Sequence, residues 1–179
     1  GPIVAVSVPS RKTIAEGQIK AVAERLRQHR GRLGIVVGCD GAFGPGLAAA
    51  GRIAAGLGGK VFSEVIPGRQ ERGQGAFPVT KIAYPIDLAL RMLADVDFLL
   101  CAGSPEPVAF FAYPDKPSRL APAHAEVVAL GDRWSDIAEG LEALAAELSL
   151  PSAPSHPVPG GLPDGPIDGA VTRAGVAAA

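Results

Sequence analysis

Cysteine is nearly absent: Cys39 and Cys101 are the two in 179 residues, too few for a disulfide framework and in keeping with a reducing cytosol. No apolar run approaches the roughly 18 residues needed to cross a bilayer, so no membrane partner is expected. The start of the chain lacks the charged-then-apolar layout of a secretory signal, and the expected location is the cytoplasm. Charge of one sign is also missing. Lys+Arg total 17 against 18 Asp+Glu, a net charge of −1, and a nucleic-acid partner would call for a basic excess. His29, His124 and His156 are far apart, and no Cys/His spacing matches a zinc site. There is no Gly-x-Ser-x-Gly elbow, HExxH pair, Walker loop or Asp-rich metal motif, so no working catalytic set is expected.

What the chain does have is the composition of a globular domain, 47% hydrophobic and 20% charged, with enough length for a buried core. Glycine (23) and proline (17) are frequent, so turns should be too. They concentrate at the end: residues 149–179 hold six prolines and five glycines, which sets a Pro/Gly-rich linker or tail apart from a domain over 1–148. A linker leads somewhere. The expectation is therefore a piece of a longer polypeptide, with a natural tail as the alternative.

Within 1–148, apolar runs alternate with amphipathic stretches. Thr13-Ile14-Ala15-Glu16 has the form of a capping box, and Ile19, Val22, Ala23 and Leu26 then follow at helical spacing. Leu33–Val37 is a short apolar run suited to a strand buried on both faces. Gly44-Pro45-Gly46 opens a second helix, with Leu47, Ala50, Ile53, Ala54 and Leu57 inward and Gly56, Gly58 or Gly59 at its end. A strand over 61–66, a polar loop over 67–74, and a helix from Pro85 through Leu93 come next. A strand over 97–102, an aromatic stretch over 108–113 and a strand over 126–130 follow. A last helix is expected with Ser135 as N-cap and Ile137, Leu141, Leu144 and Leu148 on one face. This alternation predicts a Rossmann-like, doubly wound α/β domain with a mainly parallel sheet and helices on both faces.

The turn Gly38–Gly46 is the leading candidate for a ligand site. Gly38, Gly41, Gly44 and Gly46 would let backbone N–H groups approach a phosphate at a helix N-terminus, with Asp40 beside them. Glu64, near the end of the next strand, stands where a ribose-binding acid would be expected. Against this, the G-x-G-x-x-A pattern begins several residues after the strand, and Pro45 removes a donor. A turn that only permits close packing remains open. Arg69 and Arg72, in a loop with mobile glycines, could meet an anionic ligand or a neighbouring domain, or be solvated surface. Gly103 closes a strand next to Cys101, and the two thiols could face one another across the crevice or be inert, buried hydrophobes. The cations Lys20, Arg25, Arg27, Arg30 and Arg32 are offset by Asp136, Glu139, Glu142 and Glu147 and read as surface patterning.

Four segments in order resemble one family. They are Leu33-Gly34-Ile35-Val36-Val37-Gly38 with the Leu47–Gly56 helix, and Val65-Ile66-Pro67-Gly68-Arg69-Gln70-Glu71-Arg72-Gly73-Gln74-Gly75. The others are Ala94-Asp95-Val96-Asp97-Phe98-Leu99-Leu100-Cys101-Ala102-Gly103 and Val108-Ala109-Phe110-Phe111-Ala112-Tyr113-Pro114-Asp115-Lys116-Pro117-Ser118. Together they look like the central domain of thiamine diphosphate-dependent enzymes of the acetolactate synthase and benzoylformate decarboxylase type, over residues 15–148. The resemblance implies a three-domain, oligomeric parent acting on 2-keto acids. Its first and third domains would hold thiamine diphosphate and a magnesium ion (Mg2+), so no catalytic residue carries over here. It also implies partners in the other domains of the same chain, and an apolar patch where they pack.

Acetolactate synthases proper hold FAD in this domain through an Arg-Phe-Asp-Asp-Arg-like run. Here that place reads Gly103-Ser104-Pro105-Glu106-Pro107-Val108, and FAD is expected to be absent. Other relatives bind ADP there, which Arg69 and Arg72 would suit. The alternative from a different class is a free-standing nucleotide-binding module using the glycine-rich turn.

Overall fold

The computed structural model describes residues 10–29, 31–151 and 172. Arg30, His156 and nearly all of the Pro/Gly-rich stretch therefore lie outside the described residues. In chain order the elements are α1 (Glu16–Gln28), β1 (Leu33–Val37), a 3-10 turn (Cys39–Ala42), α2 (Gly44–Leu57) and β2 (Lys60–Ser63). Then come β3 (Val79–Lys81), α3 (Ile86–Leu93), β4 (Phe98–Ala102), β5 (Glu126–Leu130) and α4 (Ile137–Glu147). The five strands form one parallel sheet in the order β3-β2-β1-β4-β5, so the winding reverses between β1 and β4. The expected doubly wound α/β fold is present.

Alternation along each strand divides the core in two. Leu33, Ile35 and Val37 of β1, with Phe98, Leu100 and Ala102 of β4, pack under α1, α2 and α4. Val36, Leu99 and Cys101 point the other way, with Phe62, onto Ile86, Ala89 and Leu93 of α3. Every residue of β1 and β4 is buried, which is why both read as unbroken apolar runs. Ile19, Val22, Ala23 and Leu26 of α1 are buried as their spacing required. Pro45 sits in the first turn of α2, and Gly58 ends that helix at φ 68°, a left-handed cap that suits glycine.

Local signals failed at several places. The Thr13 capping box does not form: α1 begins at Glu16 after Ala15, and Thr13 Oγ1 donates instead to Glu139 of α4 at 3.4 Å. Asp136, not Ser135, caps α4 by accepting from the Glu139 N–H at 2.9 Å. Ser135 is held by the preceding turn, where its hydroxyl donates to Asp132 at 3.0 Å. The second strand stops at Ser63, three residues short of expectation, and β3 was not foreseen. At three residues on the sheet edge, with Thr80 and Lys81 exposed, β3 is too short and too polar to show an alternating pattern. Ser149 and Leu150, the first residues of the expected linker, fold back: the Leu150 N–H donates to Ala145 and its side chain packs on the core. No described helix is long and apolar enough to cross a membrane.

Candidate functional site

Loops at the carboxyl ends of β1, β2 and β5 enclose a crevice of about 420 Å³ beside the reversal of strand order. Its walls include Gly38 and Cys39 after β1, Glu64 and Arg69 after β2, Arg133 after β5, and Arg11 from the segment before α1. The Arg69 guanidinium lies over the Phe43 ring at 4.2 Å, and that of Arg133 over Trp134 at 4.8 Å. Arg11 is paired with Asp40. Three guanidiniums thus border one crevice in which Glu64 is the opposing carboxylate. Such a border suits an anionic group.

The glycine-rich turn beneath it is filled by the protein itself. A Cβ on Gly38 would stand 2.6 Å from the Gly103 carbonyl oxygen, where the ends of β1 and β4 meet, and Gly103 itself needs φ 67°. A Cβ on Gly41 would stand 2.9 Å from the Ile137 side chain, and one on Gly46 would stand 2.2 Å from the carbonyl oxygen of Asp40. Asp40 is buried and accepts from the Ile137 N–H at 3.3 Å while pairing with Arg11, so its carboxylate ties the turn to the start of α4. At the N-terminus of α2, the Gly44 N–H donates to the Glu71 carboxylate, and the Glu71 N–H donates back to Ala42 at 3.0 Å. The place where a phosphate could sit already holds a carboxylate from the 67–75 loop.

Of the residues singled out from the sequence, Gly38, Glu64 and Arg69 therefore meet in the crevice. Gly41, Gly46 and Asp40 serve the packing of the turn, and Gly44 binds Glu71. Gly103 lines a neighbouring cleft with Ser104, Asp132 and Trp134. Arg72 is exposed on its loop, outside the residues that line the crevice. Arg11 and Arg133 were missed. A residue at the carboxyl end of a parallel strand is the one signal that could have found Arg133.

The two thiols do not face one another. Cys101 belongs to the core beneath α3, whereas Cys39 packs toward the opposite layer and its thiol approaches the Gly103 and Arg133 carbonyls at 3.5 and 3.8 Å. Burial pushes the Cys101 thiol up to about 12, and burial, then the Glu64 charge, raises that of Cys39. Both shifts favour the protonated thiol over the thiolate. Among the described residues, no group of three or more His, Cys, Asp or Glu side chains could hold a metal ion.

No family model matches the chain. In sequence it is 38% identical over 149 residues to IlvX of Mycobacterium tuberculosis, a protein provisionally named as an acetolactate synthase large subunit. That match covers 83% of this chain and 28% of the relative, so the chain spans less than a third of the protein it matches. In fold it is similar to the thiamine diphosphate-dependent 4-hydroxybenzoylformate decarboxylase of Rhodococcus jostii, with TM-score 0.57 and 17% identity, covering 93% of this chain and 33% of that one. It is also similar to the benzoylformate decarboxylase of Polynucleobacter necessarius, with TM-score 0.60 and 18% identity, covering 83% and 30%. The likeness read from the sequence, to a domain of thiamine diphosphate enzymes, is thus met by an acetolactate synthase-like relative in sequence and by such enzymes in fold.

Proposed function

We propose that this chain is the central domain of a thiamine diphosphate- and magnesium-dependent enzyme of the acetolactate synthase or 2-keto acid decarboxylase type, and that it contributes no catalytic residue of its own. The observation that carries this reading is the match to IlvX, which takes in most of this chain but 28% of the relative. When bound, thiamine diphosphate would supply carbanion chemistry next to a carbonyl, and domains outside this chain would hold it. This chain's part is architectural: a rigid parallel sheet whose glycine-rich turn locks β1, β4 and α4 together through Asp40. The parent is expected to be a cytoplasmic homo-oligomer whose partners are its own domains, and to lack FAD here. The coding DNA on both sides tests the reading. A frame that adds a domain each way, with a Gly-Asp-Gly motif downstream, supports it; a start codon just upstream and a stop after Ala179 overturn it.

A second reading, a nucleotide-binding module, is favoured by the border of Arg11, Arg69 and Arg133. Thermal shift with FAD, NAD, ADP and CoA separates the two, because a ligand at 100 times its dissociation constant adds about 2.7 kcal/mol. Stabilisation by one of the four, lost in Arg69→Ala, supports the module. No shift with any of them sinks it.

A further inference from the structure

The strand–helix alternation breaks twice, between β2 and β3 and, over a longer stretch, between β4 and β5. Residues 103–125 contain no helix, only an isolated bridge between Val108 and Arg119. A connection of that length without secondary structure is uncommon in a compact domain and is usually functional. Leu120 and Ala121 turn inward and complete the core beside α3. Phe110 and Phe111 turn outward and meet the ring of Tyr84, which precedes α3, and Tyr113 meets Phe111. The four rings form one cluster, with centroids from 4.8 Å (Phe110–Phe111) to 6.4 Å (Phe111–Tyr113) apart. Each ring residue is about half exposed, between 44% and 55%. Both tyrosines of the chain are in this cluster.

We propose that this ring cluster is the face on which a flanking domain of the same polypeptide docks. The inference rests on the reading above and names the surface through which the domain is held in its parent. Apolar clefts of about 220 and 410 Å³ border the rings, the first lined by Ile66 and Val108, the second by Pro114. The Asp87–Lys116 ion pair stands at the second cleft. An aromatic centre with a polar rim is the anatomy of a protein interface. The rim pair is neutral, which suits neither nucleic acid nor an anionic membrane.

The occupant follows from length and layering. In a polypeptide organised like the relative, most of the chain lies beyond this body and is the nearest apolar surface to meet it. One face of the sheet is already closed by α1, α2 and α4. Among the described residues, the other has a single eight-residue helix, α3, and the 103–125 connection. An added domain buries most apolar surface there.

Hydroxyl-radical footprinting read by mass spectrometry tests this on the 179-residue chain and on the full polypeptide of its open reading frame. Oxidation of Tyr84, Phe110, Phe111 and Tyr113 is expected to be several-fold lower in the full polypeptide. Equal oxidation in a multidomain protein overturns the docking face and leaves the reading of the parent standing. A frame that encodes no further domain overturns both. Rings protected in the isolated chain, with dimers seen by light scattering, give the face to a second copy and overturn the proposal as well.

Discussion

Gly46 and Gly17 both sit in helices, yet alanine should act on them in opposite directions. At Gly46 the new Cβ meets the backbone of Asp40 and Gly41 at 2.2 and 2.9 Å, and backbone cannot rotate away. Gly46→Ala is expected to cost roughly 1–3 kcal/mol. At Gly17, exposed on α1, nothing lies within 4 Å, and Gly17→Ala is expected to add about 0.5–1 kcal/mol. Urea unfolding measures both; a neutral Gly46→Ala would mean that the turn has room for a ligand. The sequence could name the glycines of the 38–46 turn but not their use, because a tight turn and a phosphate cradle call for the same residue. What decides is the neighbour that closes on each of them: the backbone of Asp40, in the same turn, for Gly46, and the Glu71 carboxylate, from the 67–75 loop, for Gly44.

The thiols give a second test. The folded-state value of Cys101 is raised above its ordinary 9.0 to about 12. Below pH 9 the thiol is neutral folded or unfolded; between 9 and 12 the unfolded chain ionises first, so this group's contribution to stability falls as pH rises. At mildly alkaline pH, Ellman's reagent should titrate Cys39 slowly in the native protein and reach Cys101 only in urea. Two thiols reacting at once without denaturant would contradict the assigned burial.

At the scale of elements, periodic segments were legible, and local punctuation held at α2, with Pro45 in its first turn and Gly58 at its end, but not at the side-chain caps of α1 and α4. β1 and β5 match their expected spans end to end, and the buried face of α1 follows its spacing. Caps failed because Ser, Thr and Asp compete for the same donors, and tertiary contacts choose among them. Thr13 turned to Glu139 and Ser135 to Asp132, which left Asp136 for α4. Asp136→Ala should therefore cost about 1 kcal/mol. Ser135→Ala should leave the cap of α4 intact and cost less. Thermal melts of the two variants rank them, and the reverse order would restore Ser135 as the cap. The connection after β4 shows in the sequence as an aromatic stretch and as one segment of the family resemblance but not as a surface, since no periodicity marks a loop that is half core and half surface.

For the whole molecule, the decisive contrast is between phenylalanines of the interior and of the exterior. Phe98 is fully buried at the start of β4, an interior strand of the sheet, with the His29 ring at 5.0 Å. Phe98→Ala removes a large side chain from a place that cannot collapse, and about 3–5 kcal/mol should be lost. Phe111 is 52% exposed, and its neighbours are other half-exposed rings. Water already reaches much of it, so Phe111→Ser should cost only about 1 kcal/mol. The same change should lower the binding of an apolar dye such as ANS, because the ring cluster is the surface such a dye would find. Urea midpoints and dye fluorescence, read together, distinguish two kinds of molecule. If Phe111→Ser destabilises as much as Phe98→Ala, the rings are a satellite core that holds the 103–125 connection in place. If stability is nearly kept while dye binding falls, the rings do little for the isolated fold, and the apolar surface exists for something that covers it.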